Sequence, residues 1–139
     1  MNYLIKKTYS LSNQPFAKLY GTSMALVEPD AESRALYSQK LKEVNVNVEA
    51  YSLLEDLLAA MQENQFHVVI LSPKNKDLPI LERMREQWPH IPLVTISKMM
   101  SEEDLDGIMK IGVAMHVNRD LTRPRDLLVA LEQVLSLNN

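Results

Sequence analysis

The stretch Phe66-His67-Val68-Val69-Ile70-Leu71-Ser72 decides the fold of this chain. Apart from His67 it is a continuous apolar run of strand length, and it stops at a small polar residue. A strand that is covered on both faces has such a run, whereas a strand with one wet face alternates apolar and polar residues. The run therefore predicts a central strand over residues 66–71, in a sheet with helices on both faces.

Four further apolar runs of strand length lie on either side of this one in the sequence. They cover residues 24–27, 46–51, 92–96 and 113–117, and each is followed by a segment with helical spacing of its apolar residues. Five consecutive βα units fold as an open parallel sheet, because the crossovers between parallel strands are almost always right-handed. We therefore predict an α/β fold: a five-stranded parallel sheet with five helices on both faces. For the strands we expect the order 2-1-3-4-5, one of the two common orders of such sheets.

Polar residues that cap helices predict where several of these helices begin. Asp30 precedes the first helix, Ser52 and Glu55 form a potential capping box for the second, and Ser101 with Asp104 opens the fourth. Gly112 is placed to end the fourth helix. The core positions that spacing predicts for the first helix are Ala35, Leu36, Leu41 and Val44.

The bulk composition excludes several classes of protein. A chain of 139 residues that is 46% hydrophobic and 24% charged has the size and balance of one globular domain. It contains no cysteine, so it has no disulfide framework, thiolate metal site or cysteine nucleophile. No apolar run is long enough to cross a bilayer, and the N-terminus lacks the apolar core of a signal peptide. We expect a cytoplasmic protein without a membrane partner.

The charge distribution divides the chain in two. Residues 1–23 carry Lys6, Lys7 and Lys18 and no acid, so the net charge of −3 leaves −6 on residues 24–139. We divide the chain accordingly into a basic arm, residues 1–23, and a domain, residues 24–139. The arm is either disordered or packed on the domain. A domain with this charge is a poor surface for nucleic acid, which we do not expect as a partner.

Any functional site should lie where the parallel strands end. In an open α/β sheet the binding crevice is at the carboxyl ends of the strands, near the point where strand order reverses. The polar residues that follow the predicted strands at this edge are therefore the candidates. They are Glu28, Pro29 and Asp30 after the first strand, Ser72 and Lys74 after the third, Ser97 after the fourth and Arg119 after the fifth.

These strand ends resemble the receiver domain of two-component response regulators, over residues 24–138. Residues 25–34 are similar to the family's first strand and acidic pair, and residues 67–72 to the strand that ends in the phospho-accepting aspartate. Residues 91–97 are similar to the strand that ends in the conserved Thr or Ser, and residues 112–119 to the segment that ends in the invariant lysine. The resemblance implies a flavodoxin-like receiver fold and a role in signalling.

The chain departs from the family at the residues that carry phosphorylation. Ser72 stands at the position of the phospho-accepting aspartate, Pro29 replaces the second acid, and Arg119 replaces the lysine. His116 stands at the position of a switching Tyr or Phe, and Ser97 retains the hydroxyl group. The resemblance therefore implies a degenerate phosphorylation pocket, made of Glu28, Pro29, Asp30, Ser72, Ser97, His116 and Arg119.

We do not expect this pocket to bind a metal ion or a cofactor, or to catalyse a reaction. Only Glu28 remains of the three aligned carboxylates, and one carboxylate ligand gives little affinity for Mg²⁺. A serine hydroxyl is a weak nucleophile without an adjacent base, and the sequence shows no base beside Ser72. Because Arg119 and Glu28 end strands on either side of the third strand, we expect a direct or water-bridged contact between them.

The leading functional hypothesis is a pseudo-receiver, a protein-interaction module that works without phosphorylation. Two alternatives stay open: a receiver that is phosphorylated at a residue other than aspartate, and a regulatory N-terminal domain of a larger ATPase or transcription regulator. The expected partner is a protein, or a second copy of the chain, bound through the fourth helix, fifth strand and fifth helix. The candidate contact residues are Met99, Met100, Met109, Met115 and His116.

Overall fold

The computed structural model describes residues 15–74, 77–98 and 100–137 of the chain. Five parallel strands form one sheet in the order β2-β1-β3-β4-β5, as predicted. All four residues of the central strand β3 are buried, which accounts for its continuous apolar run. The strands are β1 Ser23–Val27, β2 Asn47–Tyr51, β3 Val68–Leu71, β4 Leu93–Ser97 and β5 Met115–Asn118.

In the described part of the chain, five α-helices connect and follow the strands. None of those in the described part of the chain is long and apolar enough to cross a membrane. Two short 3-10 turns, Ala17–Leu19 and Arg119–Leu121, precede β1 and follow β5. The helices are α1 Ala31–Glu43, α2 Leu54–Met61, α3 Leu78–Gln87, α4 Glu102–Lys110 and α5 Pro124–Leu137.

The sheet separates two apolar cores, because successive strand residues point to opposite faces. On one face, side chains such as Leu26 and Ile70 pack against α1 and α5. On the other face, Val27 and Val69 pack against α2, α3 and α4. Both faces of the sheet are thus covered, and only its edges and its strand ends are open to a ligand or partner.

The predicted inward face of α1 is wrong in two positions. Ala35 and Leu36 are exposed, whereas Tyr37 and Leu41 are buried and Val44 is partly buried. Residues 37, 41 and 44 follow the i, i+4, i+7 spacing of one helical face, and residues 35 and 36 lie to its side. The apolar body of the tyrosine ring takes the position that the prediction gave to Leu36.

Two of the three predicted caps are present. The side chain of Asp30 accepts a hydrogen bond from the backbone N–H of Ser33 (2.9 Å), and that of Ser101 accepts one from the N–H of Asp104 (3.1 Å). The capping box at Ser52 is wrong: the backbone is still extended at Leu53, so α2 begins one residue later than predicted and has no side-chain cap. Gly112, with a φ of 93°, ends the α4 region as predicted.

The described part of the N-terminal arm packs against α1 and α5. Phe16 and Leu19 are buried in the core on that face of the sheet. The guanidinium of Arg125 lies 5.0 Å from the centre of the Phe16 ring, and Lys18 Nζ donates to Ser136 Oγ (2.6 Å). The packed body of the protein therefore starts upstream of residue 24, while residues 1–14 of the arm lie outside the described residues.

The two serines test the helix caps. Ser101→Ala removes an acceptor for an N–H in the first turn of α4 and should lower the free energy of unfolding by about 1 kcal/mol. Ser52→Ala, the matched control, should change it by less than about 0.5 kcal/mol, because Ser52 caps no helix. Urea denaturation followed by circular dichroism measures both. Equal losses in the two variants would contradict the assignment of the caps.

Candidate functional site

The candidate site lies at the carboxyl edge of the sheet. Val27 is the register partner of Leu71 in the β1–β3 pair, so the next residues, Glu28 and Ser72, end neighbouring strands. Arg119 follows β5 directly and starts a 3-10 turn. Its side chain reaches over the end of β4 toward β3 and β1.

Glu28, Ser72 and Arg119 form a closed triangle of hydrogen bonds. The carboxylate of Glu28 is 2% exposed, and its Oε1 accepts from Ser72 Oγ (2.9 Å) and from Arg119 Nη2. The same Nη2 donates to Ser72 Oγ (3.0 Å). The other carboxylate oxygen, Oε2, accepts from the backbone N–H of Asp30 (3.0 Å). The expected contact between Arg119 and Glu28 is therefore present, and it is direct.

Tyr37 is a part of this site that sequence reasoning missed. Its phenol group lies next to the Arg119 guanidinium. Burial raises the pKa of Tyr37, and the negative charge of Glu28 acts in the same direction, whereas Arg119 opposes it. The ring therefore stays neutral beside the ion pair. The sequence offered one indication of this position: Tyr37 lies four residues before Leu41 and therefore on the same face of the helix.

Arg34 is the second residue that sequence reasoning missed. Its Nη1 donates to the backbone carbonyl of Glu28 (2.8 Å) and more weakly to that of Pro29 (3.4 Å). It thereby fixes the turn after β1 that aims Glu28 into the site. Asp30 turns away from the triangle to cap α1, and the hydrogen bonds from Ser33 lower the pKa of its carboxyl group, helped by the charges of Arg119 and Arg34.

Two members of the predicted pocket make their hydrogen bonds elsewhere. Ser97 Oγ donates to the backbone carbonyl of Lys98 (3.0 Å). His116 Nδ1 shares a hydrogen bond with Oγ1 of Thr95 (2.7 Å), a side chain that is fully buried. Burial lowers the pKa of His116. The predicted pocket thus divides into the Glu28–Ser72–Arg119 triangle and a separate Thr95–His116 pair.

The expectation that Ser72 lacks an adjacent base is wrong. The carboxylate of Glu28 accepts the hydrogen bond of the hydroxyl group, and it was missed because it lies 44 residues away in the sequence. Ser72 Oγ also accepts a hydrogen bond from Arg119, so the hydroxyl is held through its hydrogen and through a lone pair. The oxygen has two lone pairs, and the cationic donor on one of them withdraws electron density from the oxygen and weakens it as a nucleophile. The triangle therefore positions the hydroxyl rather than activating it.

The Mg²⁺ that the receiver resemblance implies does not fit these residues. Glu28 is the one carboxylate in the triangle, and both of its oxygens already accept hydrogen bonds. A guanidinium already provides the positive charge that a metal ion would bring. Across residues 15–74, 77–98 and 100–137, no cluster of three or more His, Cys, Asp or Glu side chains could hold a metal ion.

The candidate partner-binding residues differ in exposure. Met109 is 44% exposed on α4, whereas Met100 and Met115 are partly buried against the two cores. His116 is partly buried with Thr95. Met99 lies outside the described residues. Of the methionines that the structure does describe at this face, Met109 offers the most surface to a partner.

A double-mutant cycle tests the ion pair. Arg119→Ala should lower the free energy of unfolding by about 2 kcal/mol or more, because it leaves a buried carboxylate without its cation. Arg119→Ala combined with Glu28→Gln should cost less than Arg119→Ala alone, with a coupling energy above about 1 kcal/mol. The exposed pair Arg123 and Asp126 is the control and should show almost no coupling. Equal coupling energies in the two pairs would contradict the conclusion that the buried carboxylate of Glu28 depends on Arg119.

The Thr95–His116 pair predicts a pH dependence of stability. The folded protein favours neutral His116, so the unfolded chain binds the proton first as the pH falls below the ordinary histidine pKa of about 6.5. The contribution of His116 to the free energy of unfolding is therefore fully present above that pH and is lost as the pH falls below it. The free energy of unfolding should therefore fall more between pH 7 and about pH 5 in the unmodified protein than in His116→Gln. His90→Gln, at an exposed histidine, is the control, and parallel curves for all three proteins would contradict the prediction.

Comparison with known proteins bears on the fold of the chain. No family model matches the sequence, and no curated protein matches it. Among solved structures, a CheY-like receiver domain protein from Methanospirillum hungatei has a TM-score of 0.77 at 18% identity, over 84% of this chain and 95% of that chain. HP1043, an orphan response regulator of H. pylori, has a TM-score of 0.76 at 18% identity, over 83% of this chain and 97% of that chain.

A third structure matches through only part of its length. NtrX from Brucella abortus has a TM-score of 0.73 at 17% identity, and the match covers 84% of this chain but 27% of that chain. At these identities the likeness is one of fold. The five parallel strands in the order 2-1-3-4-5, with their five helices, are the CheY-like receiver fold of response regulators, as predicted.

Proposed function

We propose that this chain is a pseudo-receiver, a cytoplasmic regulatory module of two-component type that binds other proteins without being phosphorylated and catalyses no reaction. The observation that carries this proposal is the bond from Arg119 to both Glu28 and Ser72. The protein's own guanidinium thereby occupies the place where the receiver resemblance implies a metal ion and an incoming phosphoryl group.

The chemistry of the strand ends supports the same conclusion. Transfer of a phosphoryl group to a receiver requires an ionised carboxylate at the end of β3, and Ser72 supplies a hydroxyl group that is hydrogen-bonded on both sides. Metal binding requires several free oxygen ligands, and the oxygens of Glu28 are in use. With neither requirement met, this proposal has the module bind its partners in the unphosphorylated state.

The partner surface of this proposal is the face formed by α4, β5 and α5. Its apolar part includes the exposed side chain of Met109, and α4 also carries the exposed acids Glu102, Glu103 and Asp106. A flexible methionine adapts to different partners, and the acids favour a partner with basic residues near its apolar contact. A second copy of the chain is the other candidate for this face.

The match to NtrX favours a second candidate function. That match covers 27% of the longer protein, so a unit with this fold is one domain within it. We propose as the alternative that the chain is a regulatory N-terminal domain of a larger ATPase or transcription regulator. The reading frame in the source genome distinguishes the two, because an output domain encoded after Asn139 would favour the alternative.

The hydrogen bond from Ser72 to Glu28 is the one observation that favours phosphorylation at an unconventional residue. A carboxylate next to a hydroxyl can take its proton during attack on a phosphoryl group. Against this, the cationic Arg119 donates to Ser72 Oγ and so weakens the oxygen as a nucleophile. Incubation of the unmodified chain with acetyl phosphate and Mg²⁺ decides between this alternative and the pseudo-receiver.

Incubation with acetyl phosphate and millimolar Mg²⁺ should leave the mass of the protein unchanged. The physical reason is that the site offers no free carboxylate nucleophile and no set of metal ligands. Intact-mass spectrometry measures the outcome. A stable phosphoryl adduct on Ser72, or on Asp77 in the loop after β3, would overturn the proposal.

A rebuilt site provides the positive control. The triple variant Pro29→Asp, Ser72→Asp and Arg119→Lys restores three carboxylates and removes the guanidinium, so it should bind Mg²⁺ measurably in a calorimetric titration. The double variant Pro29→Asp and Ser72→Asp keeps Arg119 and should bind Mg²⁺ more weakly. Equal affinities would show that Arg119 does not compete with the metal ion.

A further inference from the structure

A buried threonine and a histidine on the last strand of the sheet share one hydrogen bond. Thr95 in β4 and His116 in β5 are register partners, and Thr95 Oγ1 lies 2.7 Å from His116 Nδ1. Thr95 is 0% exposed, whereas His116 is partly exposed. In the described part of the chain, His116 is the one hydrogen-bond partner of the Thr95 hydroxyl group. The bond therefore joins a fully buried hydroxyl group to a ring that borders solvent.

The threonine fixes which nitrogen of the neutral histidine ring carries the hydrogen. A buried hydroxyl hydrogen needs an acceptor, and the acceptor that faces Thr95 is the lone pair of His116 Nδ1. The neutral ring therefore accepts at Nδ1 and carries its own hydrogen on Nε2. A protonated ring is a donor at both nitrogens. Protonation of His116 thus leaves the hydroxyl hydrogen of Thr95 buried without an acceptor, which is unfavourable.

The position of His116 gives the ring a second place to lie. Its neighbours Met115 and Val117 pack into the core beside α1 and α5, so His116 points to the opposite face of the sheet, which α4 helps to cover. β5 is the last strand, and within the described ranges no strand pairs with its outer side. A change of rotamer can therefore carry the ring from Thr95 to solvent while the strand stays in place.

Burial and the bond to Thr95, rather than a neighbouring charge, set the balance between the two states of the ring. Burial lowers the pKa of His116, and no charge in the described part of the chain contributes to that direction. β4 faces the ring with the uncharged side chains of Thr95 and Ser97. The charged residues of the neighbouring segments are Lys98 after β4, Glu102, Glu103, Asp104, Asp106 and Lys110 of α4, and Arg119 and Asp120 after β5.

We propose that His116 is a proton-operated switch at the edge of β5: the neutral ring lies inward on Thr95, and the protonated ring turns outward to solvent. The outward ring adds a positive charge to the face formed by α4, β5 and α5, on which α4 carries exposed acids. A partner with basic residues should therefore bind that face less tightly when His116 is protonated. This consequence rests on the proposed function, whereas the switch itself does not.

NMR of the histidine rings in the full chain, between about pH 8 and about pH 5, tests the switch without any partner. At the higher pH the nitrogen shifts of His116 should show a hydrogen on Nε2 alone, and a nuclear Overhauser effect should connect the ring to the Thr95 methyl group. That effect should be lost in proportion to the protonated fraction of His116 that the same shifts report.

Two variants of the threonine separate the hydroxyl group from the rest of the site. Thr95→Val removes the hydroxyl group at nearly constant shape, so the inward neutral ring loses its hydrogen bond while the outward protonated ring is unaffected. The midpoint of the His116 titration should therefore move to higher pH. Thr95→Ser is the matched control: it keeps the hydroxyl group and should leave the midpoint nearly unchanged.

Four results would overturn the proposal. They are a neutral ring with its hydrogen on Nδ1, a ring contact with Thr95 that persists after protonation, a ring that stays neutral until the protein unfolds, and a midpoint in Thr95→Val that does not rise above that in Thr95→Ser. Circular dichroism across the same pH range shows that each protein remains folded. Since the readout is the ring in the isolated protein, a failure here leaves the result with acetyl phosphate unaffected.

Discussion

The ion pair between Arg119 and Glu28 is the interaction on which the carboxyl edge of this sheet depends. Glu28 is almost completely buried, and an isolated buried carboxylate costs several kcal/mol. One nitrogen of the guanidinium, Nη2, donates to the carboxylate and to Ser72. The charge is thereby compensated by the chain itself, and the hydroxyl group is fixed by the same side chain.

The topology of the sheet makes this contact possible. Glu28 and Arg119 are 91 residues apart, and Glu28 and Ser72 are 44 apart, yet all three lie at the ends of strands at one edge. The core depends on the apolar residues within the strands, and the chemistry depends on the residue just after each strand. The fold can therefore persist when residues at the strand ends change. This separation explains how a chain with the receiver fold can carry a site that does not fit magnesium.

Much of the fold could be predicted from the sequence, because apolar runs and cap residues act locally or through one simple period. The five strands and the caps at Asp30 and Ser101 are examples, whereas the order of the strands also depended on the resemblance of the strand ends to a receiver domain. The contact between Arg119 and Glu28 was predictable because the topology puts both residues at one edge of the sheet and the arginine side chain is long enough to cross the ends of β4 and β3. Tyr37 was not predicted, because tyrosine is found both buried and exposed in proteins, and its spacing from Leu41 was the one indication that it faces inward. The capping box failed at Ser52 because the extended backbone of Leu53 delays the helix, which depends on packing outside that motif.

Nitrogen-detected NMR of the arginine side chains tests the central claim most directly. If Arg119 is held by Glu28 and Ser72 in a buried site, rotation about its Cζ–Nε bond is hindered, and its two Nη groups should give separate signals. The guanidinium of Arg123, whose side chain is 80% exposed, should give one averaged signal and serves as the reference within the same sample. The Glu28→Gln variant should average the Arg119 signals as well. A single averaged Arg119 signal in the unmodified protein, indistinguishable from that of Arg123, would show that Glu28 and Ser72 do not hold the guanidinium in place.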